Sequence, residues 1–372
     1  MSTASICALL NYAPHYRRAV YRRMQSSLPV DFFFGDRTAA EVKKMDYALL
    51  ERPVQELRYR RLFGHFNWLS GTLRLLFRPY RAYLFTGEPY CVSTWLALLI
   101  NKLRSKPTYL WSHGWYGDES AAKVRIKRLF FRLASGVFLY GNYARELMIA
   151  AGLDQNRLHV IYNSLDYEQQ ALLRSKLAAG TVYQDHFPHA APTLVFIGRL
   201  TAVKRLSLLL EALAALAAQG KTYNLVLIGS GPRESTLQQQ VAELQLHSQV
   251  WFYGACYEES EIAQLLFDAD LCVSPGNVGL TALHALAYGT PVITHDNFSR
   301  QMPEFEAIVP RESGDFFQEG SSESLAATLE DWFTRYPEKT VTLRERCWQK
   351  IESVYHPEFQ VELLRKVILT DG

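Results

Sequence analysis

The chain of 372 residues has no long apolar run. Its best candidate, Trp95 to Ile100, is far below the ~20 residues that a bilayer-spanning helix needs. Met1 opens a short polar stretch that leads straight into a strand pattern, which is not a signal peptide. Cysteine is scarce. Cys7, Cys91, Cys256, Cys272 and Cys347 form no CxxC pair, which argues against a redox pair or zinc ribbon. They read as buried free thiols of a reducing, cytoplasmic compartment. The ten histidines show no ligand spacing. The one Asp-x-Asp, Asp268-Ala269-Asp270, precedes a strand pattern instead of ending one, so no bound metal is expected. Solenoid repeats and low-complexity tracts are absent too.

Charged residues make up 21% of the chain and hydrophobic ones 48%, the balance of a globular protein. The net charge of +3 hides an asymmetry. Residues 1–185 hold 26 Lys and Arg against 14 Asp and Glu; the remainder holds 14 against 23. A basic half points to an anionic partner.

Short apolar strand patterns alternate with helical ones throughout. They fall near 5–10, 30–34, 83–86, 108–111, 136–140 and 158–162. A second series falls near 194–197, 224–228, 250–253, 270–273 and 291–294. Such alternation predicts α/β structure with parallel sheets covered on both faces. Length suits two domains. Residues 178–192 carry Gly180, Pro188 and Pro192 without apolar period and read as a linker. The expected domains are 1–184, joined by a terminal helix within 356–372, and 190–355.

The densest signal lies between Leu194 and Pro291. Leu194-Val195-Phe196-Ile197 breaks at Gly198-Arg199-Leu200, with Lys204 following. Ser274-Pro275-Gly276-Asn277-Val278-Gly279-Leu280-Thr281 breaks a second strand pattern before another helix. Ligands of open α/β sheets sit at such strand ends. Two cations beside glycine-bearing helix starts suit a diphosphate.

Together with Ile228-Gly229-Ser230-Gly231-Pro232 and Gly289-Thr290-Pro291-Val292-Ile293, these motifs resemble family 4 of the retaining glycosyltransferases, the glycosyl transferases group 1. The resemblance covers residues 192–310. It is weaker in the first half, at Trp111-Ser112-His113-Gly114 and Ile161-Tyr162-Asn163-Ser164-Leu165-Asp166. It implies a GT-B fold, two Rossmann-like doubly wound domains facing a central cleft. It also implies sugar transfer from a UDP- or GDP-linked donor to a glycan or polyprenyl-diphosphate-linked acceptor, in bacterial surface polysaccharide or glycolipid synthesis. No other cofactor and no metal are implied. The diphosphate falls to Arg199 and Lys204, and His113 faces the reacting centre; these three form the expected catalytic set. Gly229, Gly276, Asn277, Gly279, Leu280, Thr281 and His284 complete the expected donor-binding set.

The sequence departs from the family at two positions. Where the family has Glu, seven residues, Glu, this chain has Gly276 and His284. His284 is expected to take the ribose contact through a ring nitrogen. Sugar contacts at Gly276 fall to backbone amides or Asn277. Two alternatives compete with transfer: a non-catalytic relative of the same fold, and a GT-B epimerase or phosphorylase, whose acidic cluster or cofactor lysine is not visible.

Three basic, aromatic-rich segments crowd the first half: His15 to Arg23, Arg58 to Arg81, and Lys123 to Arg132. They make an anionic membrane surface a candidate partner, with the protein peripheral on the inner face of the cytoplasmic membrane. No nucleic-acid-binding module is recognisable, so nucleic acid is not expected as a partner.

Overall fold

The computed structural model describes residues 5–37 and 42–370. The polar start at Met1 and the last two positions of the range 356–372 lie outside them. The chain divides into two compact units. One runs to Asp166 and takes up the residues from His356 onward; the other is Tyr167–Tyr355.

The first unit is built on a seven-stranded sheet. Across it the strands run Gln55–Leu57, Val30–Gly35, Ile6–Leu10, Ala82–Thr86, Thr108–Ser112, Gly136–Leu139 and Leu158–Val160, each parallel to its neighbour. Successive side chains of a strand point to opposite faces. Ile6, Ala8 and Leu10 accordingly join one core layer and Cys7 and Leu9 the other. The terminal helix Pro357–Thr370 inserts Val361, Leu364, Val367 and Ile368 into the first of these layers. Gln360, 1% exposed, pins it: its Nε2 donates to the Tyr162 carbonyl at 2.7 Å, and its Oε1 accepts from Ser164 Oγ at 2.7 Å.

The second unit holds a six-stranded parallel sheet in the order Val250–Gly254, Asn224–Ile228, Thr193–Ile197, Leu271–Ser274, Val292–His295, Gly314–Phe317. Numbered along the chain this is 3-2-1-4-5-6, the doubly wound order with its switch point between the first and fourth strands. The helix Leu206–Ala218 packs its leucines beneath that sheet.

The expected boundary near residue 184 moves to Asp166/Tyr167. The reason is aromatic. The stretch 178–192 contains a short helix, Val182–His186. Tyr183 is buried and donates to the Leu265 carbonyl at 2.6 Å. His186 stacks on Trp251 with centroids 3.7 Å apart. A segment read as a linker from its glycine and prolines is thereby part of the second unit. Asp268 and Asp270 serve the same attachment, accepting from the Gly180 and Thr193 amides at 3.0 and 2.7 Å. The strands Gln55–Leu57 and Gly314–Phe317 and the helix Val341–Val354 are further elements beyond the sequence patterns.

Candidate active site

In the second unit the switch point is formed by the turns after Ile197 and Ser274. Gly198, with φ of +148°, turns the chain out of the central strand. Behind it stands Gly229, where a Cβ would lie 1.9 Å from the Gly198 carbonyl oxygen. A side chain there would push the two turns apart.

Lys204 ends a short 3₁₀ turn, Ala202–Lys204. Its Nζ donates to the Asn277 carbonyl at 2.6 Å and to Asn277 Oδ1 at 3.0 Å. The Gly276 amide returns a bond to the Lys204 carbonyl at 3.0 Å. At Gly276 a Cβ would meet the Val203 carbonyl oxygen at 1.9 Å. The departure at this position is thus coupled to close packing of two turns, and no side chain larger than hydrogen fits without moving them. Burial draws the Lys204 ammonium down to about 8, offset in part by Glu304 and Cys272. Arg199 lies exposed on the neighbouring turn.

The helix Leu280–Ala287 begins at Gly279 with no side-chain cap and no acidic residue in its first turn. Backbone N–H groups of a first helical turn have no intrahelical partner. They and the helix dipole favour an anion. Thr281 is partly committed: its hydroxyl donates to the Ile197 carbonyl at 2.9 Å, tying helix to strand. Gln301 is a residue that sequence patterns did not single out. At 3% exposure, its Oε1 accepts from the Val278 amide at 2.8 Å. Its Nε2 donates to Thr294 Oγ1 at 2.8 Å and to the His295 carbonyl at 2.9 Å. It braces the glycine turn from below. Only its place shortly after a strand could have marked it.

His284 sits one turn further along the same helix. Its Nε2 is 3.0 Å from Glu259 Oε1, an oxygen that also accepts from Tyr288 at 2.6 Å and Gln170 at 3.3 Å. Burial alone would raise the Glu259 carboxyl; His284 and these donors more than offset that and hold it below its usual range. A carboxylate therefore does stand beside position 284, but it comes from the helix Glu259–Asp268.

In the first unit the corresponding switch point lies between Ile6–Leu10 and Ala82–Thr86. A cavity of about 440 Å³ opens there, lined among others by Asn11, Arg17, Glu88, Trp111, His113 and Tyr140. His113 follows the strand Thr108–Ser112 directly. Its ring lies 4.6 Å from that of Tyr140 between centroids, and its buried Nδ1 has no partner among the described residues. Burial, with Arg17 and Lys127 adding to it, lowers the imidazole to about 4. The loop carrying it is fixed by Lys127, whose Nζ donates to the Gly114 carbonyl at 2.9 Å and to Glu119 at 2.6 Å. Among the described residues no group of three or more His, Cys, Asp or Glu could hold a metal ion.

The sequence-derived positions thus fall into two places. Arg199, Lys204, Gly229, Gly276, Asn277, Gly279, Leu280, Thr281 and His284 belong to the switch point of the second unit. His113 belongs to that of the first.

Fold and site define an α/β protein of the GT-B class. Residues 184–350 match the family model described as "Glycosyl transferases group 1". A GDP-mannose-dependent alpha-(1-6)-phosphatidylinositol dimannoside mannosyltransferase of Mycobacterium tuberculosis is 36% identical over 110 residues, covering 28% of each chain. The putative glycosyltransferase EpsF of Bacillus subtilis is 26% identical over 212 residues, 54% of this chain and 52% of its own. The matches therefore span about a quarter to a half of those relatives. Anabaena Alr3699/HepE, solved in complex with UDP, shares the fold at a TM-score of 0.73 and 17% identity, over 98% of this chain and 99% of that one.

Proposed function

We propose that this chain is a retaining, metal-independent glycosyltransferase of family 4. In this reading it moves a sugar from a UDP- or GDP-linked donor to a glycan or polyprenyl-diphosphate-linked acceptor of a bacterial surface polysaccharide or glycolipid. The observation that carries the reading is the second unit's switch point, where Lys204 and an uncapped helix start converge on Asn277 and Gly279. The match of residues 184–350 supports it, as does a relative of the same fold that binds UDP.

Departure of a nucleoside diphosphate concentrates negative charge on its leaving oxygen. Arg199, Lys204 and the first-turn amides of the helix Leu280–Ala287 meet that charge without reorganising, which is where electrostatic catalysis is strongest. With two cations in that role, no metal is needed. The bond from the anomeric carbon to the phosphate oxygen breaks and the bond to the acceptor oxygen forms on the same face. The acceptor proton passes to the departing diphosphate. His113, lowered to about 4, is neutral at physiological pH and too weak a base to take that proton. It orients the sugar through a hydrogen bond. Glu259, held by His284, supplies the carboxylate that the donor ribose meets.

The first unit carries exposed apolar side chains in basic surroundings. Leu96, Leu99 and Leu103 lie along the helix Val92–Leu103, and Ile126 and Leu129 along Ala121–Arg132. They support peripheral contact with an anionic membrane. The aromatics Phe130 and Phe131 of the basic segment Lys123 to Arg132 are buried in the core, because the helix turns its aromatic face to Trp95 and Trp115.

The deciding experiment is thermal stabilisation by UDP and GDP, followed by transfer from the matching nucleotide-sugars with the product's anomeric configuration read by NMR. A nucleotide at about 100 times its dissociation constant stabilises by ~2.7 kcal/mol. Inverted products, or activity lost to EDTA and restored by Mg²⁺, would refute the retaining or the metal-independent part.

A further inference from the structure

We propose that the cavity at the first unit's switch point is an oxyanion site, in which Arg17 grips the phosphate or carboxylate group of a sugar-bearing substrate. That this substrate is the acceptor rests on the reading above; the anion site itself does not.

Arg17 is a cation without a counter-charge. Its guanidinium lies 4.9 Å from the ring centroids of both Trp111 and Tyr140, and it donates to the Tyr140 hydroxyl. Among the described residues no carboxylate lies within ion-pair distance of it. Three neighbouring cations are matched. Arg18 pairs with Asp166 at 2.9 Å, Arg23 with Glu358 at 2.5 Å, and Lys127 with Glu119 at 2.6 Å. Glu88, the carboxylate in the cavity lining, is held by Tyr59 at 2.9 Å and Asn11 at 3.5 Å and leaves Arg17 alone.

The placement is unfavourable unless an anion joins it. Arg17 and Arg18 open the helix Arg18–Ser27, whose first turn has no acidic residue and whose N-cap side chain makes no capping bond. Cations at a helix N-terminus oppose its dipole. Withdrawing a guanidinium from water without a counter-ion adds to the cost. Two aromatic faces recover part of it.

The chemistry of the ligand follows from the donors and the walls. A guanidinium has five N–H donors in a rigid fork, and phenol oxygens leave most of them unused. That fork matches two oxygens of a phosphate or carboxylate. Tyr116, partly exposed in the cavity lining, offers a flat face for a sugar ring. The space, about 440 Å³, is that of a small-ligand site. Two sources share this chemistry: a phosphorylated sugar, free or lipid-linked, and a uronic acid.

The test is calorimetry on the full chain with three probes: phenyl phosphate, phenyl β-D-glucuronide and neutral phenyl β-D-glucoside. We expect at least one anionic probe to bind more tightly than the glucoside, and whichever binds names the source. Arg17→Gln should weaken that probe roughly 10–100-fold while sparing the glucoside. Arg17→Lys keeps the charge and loses the fork, so it should fall between, and it serves as the variant if the glutamine substitution fails to fold. With Arg199→Ala and Lys204→Ala combined, phosphate binding at the second unit's switch point is removed, and the Arg17-dependent binding step should persist. Equal binding of charged and neutral probes, indifference to both Arg17 substitutions, or loss of that step in the combined Arg199 and Lys204 variant would each overturn the proposal. UDP and GDP are titrated in parallel. Their failure to bind would sink the glycosyltransferase reading while leaving the anion site standing.

Discussion

The Lys204 ammonium donates to both the carbonyl and the side-chain oxygen of Asn277, at 2.6 and 3.0 Å. One lysine therefore clips together the turns after two adjacent central strands, and its charge stays at the mouth they form. Neither oxygen of Asn277 carries a full negative charge, which leaves room for a stronger partner. An incoming diphosphate would supply it.

Arg199→Ala and Lys204→Ala should each lower turnover by ~10²–10³ at saturating donor, with the fold intact by circular dichroism, since each removes a donor to developing anionic charge. Lys204→Ala should also cost some thermal stability through the lost clip. Near-normal kinetics in both variants would remove the diphosphate from this site.

Proton linkage gives a second handle on Lys204. In the free protein its ammonium is lowered to about 8 by burial. A bound diphosphate stabilises the charged form and raises it again. Nucleoside diphosphate binding at pH 8.5 should therefore take up on the order of half a proton or more, read by calorimetry in two buffers of different ionisation enthalpy. At pH 6.5 the lysine is already charged and the uptake should vanish. Lys204→Arg should abolish it at both values.

The His113 imidazole should make the protein acid-sensitive. Its folded-state value is about 4 against 6.5 for the free side chain, chiefly from burial. Between these values the unfolded chain binds the proton more readily, so stability is complete above pH 6.5 and falls as pH drops toward 4. The loss through this group alone is at most about 3 kcal/mol. Urea unfolding at pH 7.5 and pH 5 should show a smaller difference in His113→Asn than in the wild type. An unchanged pH slope would mean that His113 is open to water.

Replacing His284 by the family's glutamate would be expected from sequence alone to be mild. The structure reverses this, since the new carboxylate would lie near Glu259, now 3.0 Å from the imidazole. Like charges this close raise one pKa strongly and destabilise the ionised pair. His284→Glu should lower the melting temperature more than His284→Gln at pH 8, and the gap should close near pH 4.5, where one proton is shared. A melting temperature independent of pH would contradict this.

Membrane contact predicts sedimentation with vesicles containing anionic lipid, fading as salt rises. Substituting Lys123, Arg125 and Arg128 by Gln should release the protein. Adding Ile126→Ser and Leu129→Ser should prevent residual binding. Lys127 is left in place, because its side chain is turned to Glu119. No binding to anionic vesicles at low salt would assign the basic segments to the fold or to a soluble substrate.

Most of both sheets was legible in the chain. A fully buried parallel strand is a short apolar run, and Thr193–Ile197 and Ala82–Thr86 are such runs. Gln55–Leu57 escaped because an edge strand with two exposed residues carries no such pattern. The linker was misjudged because glycine and proline mark breaks, while the fate of a segment between breaks depends on what its aromatics find. Tyr183 and His186 find Leu265 and Trp251. Arg17 was legible only as one charge in a basic segment.

Local order and strand ends followed from sequence, because they depend on side-chain period and on where glycine interrupts it. That places Gly198, Lys204, Gly276 and Gly279 at turns with no knowledge of the fold. Partners at long sequence separation did not follow. Glu259 reaches His284 across 25 residues, Lys204 reaches Asn277 across 73, and Arg17 reaches Tyr140 across 123. These pairings arise when sheet order brings distant turns to one edge. Only tertiary structure shows that the carboxylate missing at position 284 returns from another helix, and that Arg17 has aromatic faces around it where Arg18 and Arg23 have carboxylates.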